Sequence, residues 1–501
     1  MAAVDMKRVA LVVVVLLSDL LFTGLIFGWA PLLLMLQDEQ QYGELCEATG
    51  KAAPCVDQEN KLNLMFAAAS VAANIGALPI GMFLDYCGPK VAITLAALLE
   101  ISGLVLMALA DSQQFDVFVP AYVLLAFGGS VTMMCSFPAS FLIMKYQTAI
   151  LAAISCLFDG SSAVFLVLYS IRSNYGVERR DLFLMLAVGA TCVYLVLIAL
   201  WHVNEKALLE DDEDLVQPEE ERHLLPVFDR IESDEYNATS DVRRVQRRKT
   251  QGLLLVDQPF RKQVFTSEYG FILTFAVVQV LRANVFIGTT NKLLENYGDQ
   301  AFGFLYTKIF SFVLPLGFLF VPGIDYVVEK KGLSVSLVVT NSLGVVYNAM
   351  LLVPSLTLQC LTFFVFTGFR AFLYAVMSAF TAKTFGLKNL GTLSGLMFTM
   401  CSLVSLLEYP AVTMSNTYFD GKLTVVNSIC MLLCVLLFPY TEFYRAFERR
   451  RLGKLRFLDA SSRIEPEFSP VGHGMAYLRS PYHGRSPARL ARSPARINAT
   501  K

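Results

Sequence analysis

Histidine, tryptophan and charge are all scarce in this chain. Its 501 residues include four histidines and two tryptophans. His202, His223, His473 and His483 lie outside every long apolar run, so no apolar segment carries an imidazole base or metal ligand. Charged residues make up 17% and the formal net charge is −1, which leaves no overall field to draw in nucleic acid. No P-loop, Cys-x-x-Cys or His-Glu-x-x-His run occurs, so ATP-driven and metal-dependent chemistries lack their usual residues. These absences argue against an enzyme, and no cofactor or metal is expected.

What the chain does have is apolar length. Apolar residues make up 55% and mean hydropathy is +0.54, more than a soluble core can hide. From Val9 to Leu36 the one charge is Asp19, and that run exceeds the about 20 residues a helix needs to cross hydrocarbon. It is too long for a signal peptide and lacks a small-residue cleavage site, so it reads as a retained first span. Apolar runs between polar breaks predict twelve spans, at 9–36, 62–84, 91–110, 117–144, 148–171, 182–201, 267–290, 302–324, 333–353, 357–382, 390–414 and 423–440. The expected fold is all-helical and integral to the membrane, with twelve transmembrane helices in two six-helix bundles. Its expected units are a first bundle over 1–201, a flexible cytosolic linker over 202–266, a second bundle over 267–440 and a disordered basic cytosolic tail over 441–501. Six spans on each side of a polar insert is the layout of a transporter built from two similar halves.

Basic residues near span ends set the orientation. With the N-terminus in the cytosol, twenty fall on the cytosolic side and seven opposite, which places both termini and the insert in the cytosol. Eight of the ten cysteines lie in or beside spans, where they serve as small apolar residues. Cys46 and Cys55 instead share the first non-cytosolic loop. An oxidising compartment allows them a disulfide, the alternative being two free thiols. Asn237 and Asn498 meet the glycosylation pattern but fall on the cytosolic side, so neither is expected to be modified. In the insert, Glu220 precedes Leu224-Leu225 by four positions. This matches an acidic dileucine sorting signal read by a clathrin adaptor, or else is a chance match in an acidic linker. Ser480, Ser486 and Ser493 each precede proline in an Arg-rich tail, where a proline-directed kinase could add charge. Arg449, Arg450 and Arg451 can rest on anionic membrane lipid. The membrane expected is plasma, vacuolar or lysosomal.

Between the second and third spans the chain reads Gly81-Met-Phe-Leu-Asp85-Tyr-Cys-Gly88-Pro-Lys90. Gly81 lets helices approach, Asp85 accepts charge-assisted hydrogen bonds at a helix end, Gly88 turns the chain and Lys90 faces the cytosol. This loop resembles the signature of the major facilitator superfamily, with Pro89 in place of the first basic residue. A degraded copy, Asp325 to Gly332, sits at the equivalent place in the second half. The resemblance implies that Gly81, Asp85, Gly88, Lys90 and Asp325 belong to a gate. Four further stretches, Leu20–Leu36, Leu62–Gly81, Gln279–Asn291 and Phe385–Leu396, resemble the system-L facilitators for large neutral amino acids, a branch with animal, fungal and protist members. That likeness implies sodium-independent, facilitated movement of branched or aromatic amino acids by alternating access, as a uniporter.

Polar residues inside spans are functional candidates because an unpaired charge there is costly. Helical spacing puts Ser155, Asp159 and Ser162 on one face, Thr367, Arg370, Tyr374, Ser378 and Thr381 on another, and stacks Asp19 with Thr23. Gln279, Arg282 and Asn284 cluster in the seventh span. A zwitterion needs a donor for its carboxylate and an acceptor for its ammonium, and Arg282 or Arg370 with Asp159 or Asp19 supplies both. The alternative is that these ions pair with one another to hold helices or gate the cavity. Asp159 and Glu408 leave open a proton-coupled or cationic amino acid transporter, and the insert and tail leave open an amino acid sensor or scaffold.

Overall fold

Lipid offers backbone groups no hydrogen bonds, so a spanning segment must satisfy them internally, and the apolar stretches of this chain do so as helices. The computed structural model describes residues 6–48, 55–214, 255–256, 258–302, 305–407, 410 and 423–464. Glu408, Leu224, Leu225, Ser480, Ser486, Ser493, Asn237 and Asn498 lie outside the described residues. Among the described residues ten helical stretches are long and apolar enough to cross a membrane. One of them, Phe118–Tyr175, is 58 residues long and is interrupted by non-helical backbone at Ile143 (φ −133°, ψ 74°), so it counts as two crossings. With the shorter apolar helix Leu390–Ser405 the spans number twelve, in two six-helix bundles.

Several spans are broken where the sequence predicted continuous helices. The first consists of Met6–Ser18, a π-turn over Asp19–Thr23, a short 3-10 turn and Trp29–Asp38. The cause is packing at Gly24 and Gly28, where an added side-chain carbon would overlap the backbone carbonyls of Phe158 and Ser162. The fifth span divides at Gly160 into Gln147–Gly160 and Ala163–Tyr175. The eighth divides around Pro315 and Pro322 into Leu305–Val313, Leu314–Phe320 and Val321–Lys331, because proline removes a helical donor.

Two expected boundaries move. The helix beginning at Arg179 runs to Asp214, past residue 201, since residues 202–214 hold no Gly or Pro and are rich in good helix formers. The expected disordered tail from 441 is helical as far as Ile464, in a helix that starts at Thr424 and contains Pro439. Beyond that proline Tyr440 and Tyr444 stack on Phe271, with ring centroids 4.8 and 4.0 Å away, which holds the helix against the second bundle.

The two bundles meet along two seams. Val56–Cys87 packs lengthwise against Leu390–Ser405, and Gln147–Gly160 packs against Leu314–Phe320 and Leu356–Phe385. On the face opposite the signature loop, Glu39 pairs with Arg172 and with Arg179, the latter at 2.7 Å, while Arg179 also donates to the Ala110 carbonyl at 2.7 Å. Cys46 and Cys55 form a disulfide there. In the same cap, burial and the Asp116 carboxylate hold the Tyr42 phenol above its usual range, and the backbone N–H groups of Gln114 and Gln113 hold half-buried Asp111 below its own.

Candidate functional site

At the signature-loop face, Asp85 accepts from the backbone N–H groups of Gly391 (2.8 Å) and Thr392 (2.6 Å). It thereby caps a helix of the opposite bundle, where an anion meets both free donors and the positive end of the helix dipole. Asp325 stands at the equivalent place in the second half, on Val321–Lys331, which packs against Gln147–Gly160 of the opposite bundle. The chain turns after each loop at a left-handed glycine, Gly88 (φ 81°, ψ 164°) and Gly332 (φ 87°, ψ 166°). The matching geometry marks two copies of one device. Glu329 adds a second tie, accepting from Lys383 at 2.6 Å and from Thr148. Lys90 stands apart from this seam, 2.8 Å from His202 Nδ1. This face is therefore closed, and Gly81 lies against the Gly391 carbonyl within the seam.

The buried charges deep in the spans fall into three groups, each of which the sequence anticipated in part. In the first group, the Arg370 Nε and Nη2 atoms donate to both Asp159 oxygens at 2.8 and 2.7 Å. This bidentate pair joins the two bundles and is largely buried, each side chain being 11% exposed. The Arg370 guanidinium also lies 5.5 Å from the centre of the Tyr374 ring. Ser155 and Ser378 face each other beneath the pair at 3.5 Å. Ser162 does not reach it, because the helix has ended and its hydroxyl donates to the Asp159 carbonyl instead. Asp159 sits twelve residues into its helix, which at 1.5 Å per residue is roughly 18 Å from the closed face, near mid-bilayer.

The second group lies wholly within the C-terminal bundle. Arg282 is buried, donates to Gln279 and to the Gly344 carbonyl (3.0 Å), and is flanked by the rings of Tyr347 and Phe369 at 5.5 and 5.9 Å. Gln279 in turn donates to Asn341 at 2.8 Å. Asn284 is separate from this chain and donates to Ser405 at 3.0 Å. Among the described residues no carboxylate meets Arg282, so its charge is held by carbonyl dipoles and ring faces. Arg282→Ala is expected to cost about 1–3 kcal/mol by leaving buried acceptors unpaired and to abolish uptake at normal surface level. Arg282→Lys should not rescue, since an ammonium cannot span both acceptors. Uptake normalised to surface protein, with a thermal unfolding scan, checks this; unchanged uptake in both variants would remove Arg282 from the transport machinery.

The third group is in the N-terminal bundle. Asp19 accepts from Ser136 at 2.8 Å, and the Thr23 hydroxyl donates to the Asp19 carbonyl at 2.7 Å. Thr132 and Tyr194 share a hydroxyl contact of 2.7 Å nearby. Fully buried Glu100 faces Gly128 on the helix that carries Thr132 and Ser136, and sequence reasoning passed over it. The signal was available, because Glu100 is the one acid in the apolar run 91–110.

The model of the Major Facilitator Superfamily matches residues 11–407. The equilibrative nucleobase transporter 1 of Bos taurus is 26% identical, over 86% of this chain and 94% of that protein. The large neutral amino acids transporter small subunit 3 of Homo sapiens is 22% identical, over 89% of this chain and 96% of its own length. Among solved structures, the human organic anion transporter MFSD10 (TETRAN) superposes with a TM-score of 0.58 at 15% identity, covering 87% of this chain and 99% of that one. Twelve spans, two copies of one loop that turn at equivalent glycines and a family model spanning most of the sequence agree: the chain belongs to the Major Facilitator Superfamily and is a multi-pass membrane transporter of that type.

Proposed function

We propose that this transporter carries large neutral amino acids, branched or aromatic, by alternating access, with Asp159 and Arg370 as the groups that take the two ends of the substrate. The observation that carries this reading is the bidentate pair joining the bundles near mid-depth. An α-amino acid presents an ammonium and a carboxylate two bonds apart, so it can replace each ion's partner with its own. Asp159 receives the ammonium and Arg370 the carboxylate, and the exchange breaks a tie between the bundles as substrate enters. Binding is thereby linked to motion of one bundle against the other. The system-L likeness and the human and Toxoplasma gondii relatives named as amino acid transporters support the same class. Both termini and the 202–266 linker are placed in the cytosol by the basic residues at the span ends.

A second reading, a nucleobase carrier, is favoured by the bovine relative and by the Arg282 guanidinium between two rings, beside which a planar heterocycle could stack. Counterflow in proteoliposomes with the twenty amino acids and adenine separates the two. Leucine and phenylalanine are expected to exchange while lysine and adenine do not. Adenine exchange without leucine exchange would replace the first reading with the second. Leucine binding with no flux of any substrate would favour a sensor.

A further inference from the structure

Glu100 is fully buried, and neither of its carboxyl oxygens has a hydrogen-bond partner among the described residues. Asp19 is equally buried, and its second oxygen has none either. A lone carboxylate inside a membrane bundle is costly unless a cation or a proton meets it. The charged and titratable groups on the surrounding elements supply no cation. Phe118–Ser136 offers Tyr122, which donates to the Ile26 carbonyl at 2.8 Å, and the buried thiol Cys135. The Arg179 helix offers Tyr194, held by Thr132, while Arg179 itself is engaged with Glu39 about 22 Å along the helix from Tyr194. Val56–Cys87 carries its charges, Asp57, Glu59, Lys61 and Asp85, near its two ends. Lys90, on the same helix as Glu100, lies ten residues away beside His202. Lys7 and Arg8 stand at the start of the first helix, and Asp159, on Gln147–Gly160, is already matched by Arg370.

Space has been kept for the Glu100 carboxyl. A side-chain carbon on Gly128 would overlap Glu100 Oε2, so the opposing helix presents bare backbone to the acid. Among the described residues no three His, Cys, Asp or Glu side chains gather as a metal site. We propose that Glu100 is a proton-binding site in the N-terminal bundle that loads and unloads as the carrier cycles, with Asp19 about two helical turns away along Phe118–Ser136, where Gly128 faces the first acid and Ser136 binds the second. The proton enters as hydronium or from water and adds to one carboxylate oxygen, turning an ion into a neutral acid with no other bond changed. A path to the central pair exists in the fold. Asp19 opens the π-turn that ends at Thr23, and the next backbone N–H, of Gly24, donates to Ser161 Oγ at 2.6 Å, two residues from Asp159. The charge state of the pocket can therefore bear on the tie between the bundles.

The proposal rests on the carrier reading but not on the identity of the substrate, so its test uses none. Infrared spectra of the purified full chain in lipid nanodiscs, titrated from about pH 4 to pH 9, report protonated carboxyl groups by their carbonyl stretch. The expected result is a band that disappears as pH rises and is missing from Glu100→Gln. In Asp19→Asn the band should persist, because its source is Glu100 and not the second buried acid; this variant carries the test if Glu100→Gln does not fold. The proposal is overturned by a band that survives in Glu100→Gln, by one that stays constant across the titration, by no band at all or by loss of the band in Asp19→Asn. Loss of the band on adding sodium at fixed pH would also overturn it, in favour of a metal ion.

Discussion

Replacing Arg370 by alanine is expected to abolish uptake in cells that still deliver the protein to the membrane, and to lower its unfolding temperature in detergent. The pair it forms with Asp159 is bidentate and 11% exposed on each side, so removing one partner strands the other charge in a site that excludes most water. Breaking a buried pair in this way costs about 3–5 kcal/mol, a large share of what holds most folds together. Asp159→Asn should be nearly as damaging to transport, because Arg370 then lacks its counter-ion and the substrate ammonium lacks its acceptor. The double variant Asp159→Asn with Arg370→Gln separates structure from function. Two amides can hydrogen-bond across the same gap, so stability should return toward wild type while uptake stays lost. A double variant that transports normally would show that the pair only holds the bundles together. Non-additive losses in the single and double variants would measure the coupling between the two residues directly.

Much of the fold could be read from the sequence because lipid imposes a simple demand, about 20 apolar residues per crossing, and the runs around Val9–Leu36 or Thr424–Phe438 meet it plainly. The interruptions were not legible in the same way. Gly24 and Gly28 break the first span because of what lies opposite them, the carbonyls of Phe158 and Ser162, and no local pattern announces a neighbour more than a hundred residues away. The same limit governs the charges. Helical spacing identified the stripes that carry Asp159 and Arg370, but not that these two residues, 211 positions apart, face each other. The sequence offered Asp19 and Arg282 as equal candidates, yet these two do not meet: Asp19 is held by Ser136, and Arg282 by Gln279 and the Gly344 carbonyl. Glu100 was missed for the opposite reason. It belongs to no polar stripe, so a search by helical spacing passed over it although it is the one acid in its apolar run; its burial and lack of partners give that acid its weight.

Gly81→Val is expected to hold the signature-loop face open and so trap the carrier away from the state described here. The seam between Val56–Cys87 and Leu390–Ser405 is a contact of backbone on backbone. An added carbon on Gly81 would overlap the Gly391 carbonyl, one on Gly391 would come within 2.6 Å of Gly81 O and 2.7 Å of Asp85 Oδ1, and one on Gly395 would strike Ala77 O. Small residues permit such approaches between membrane helices, and a branched side chain forces the helices apart or strains them at about 1–3 kcal/mol. Separation also pulls Asp85 from the Gly391 and Thr392 donors, so closure loses its packing and its cap together. Energies of this size shift a two-state equilibrium by about 5–150-fold, enough to depopulate the closed face. Spin labels at exposed Tyr86 and Lys388, in a background lacking the free cysteines, report the gap across the seam. The distance distribution should move to longer values in Gly81→Val and stay unchanged in Gly189→Val, since nothing lies within 4 Å of a carbon added at Gly189. Uptake should fall steeply in the first variant and remain near wild type in the second. Identical distance distributions in both would mean that the glycine seam does not control the gate.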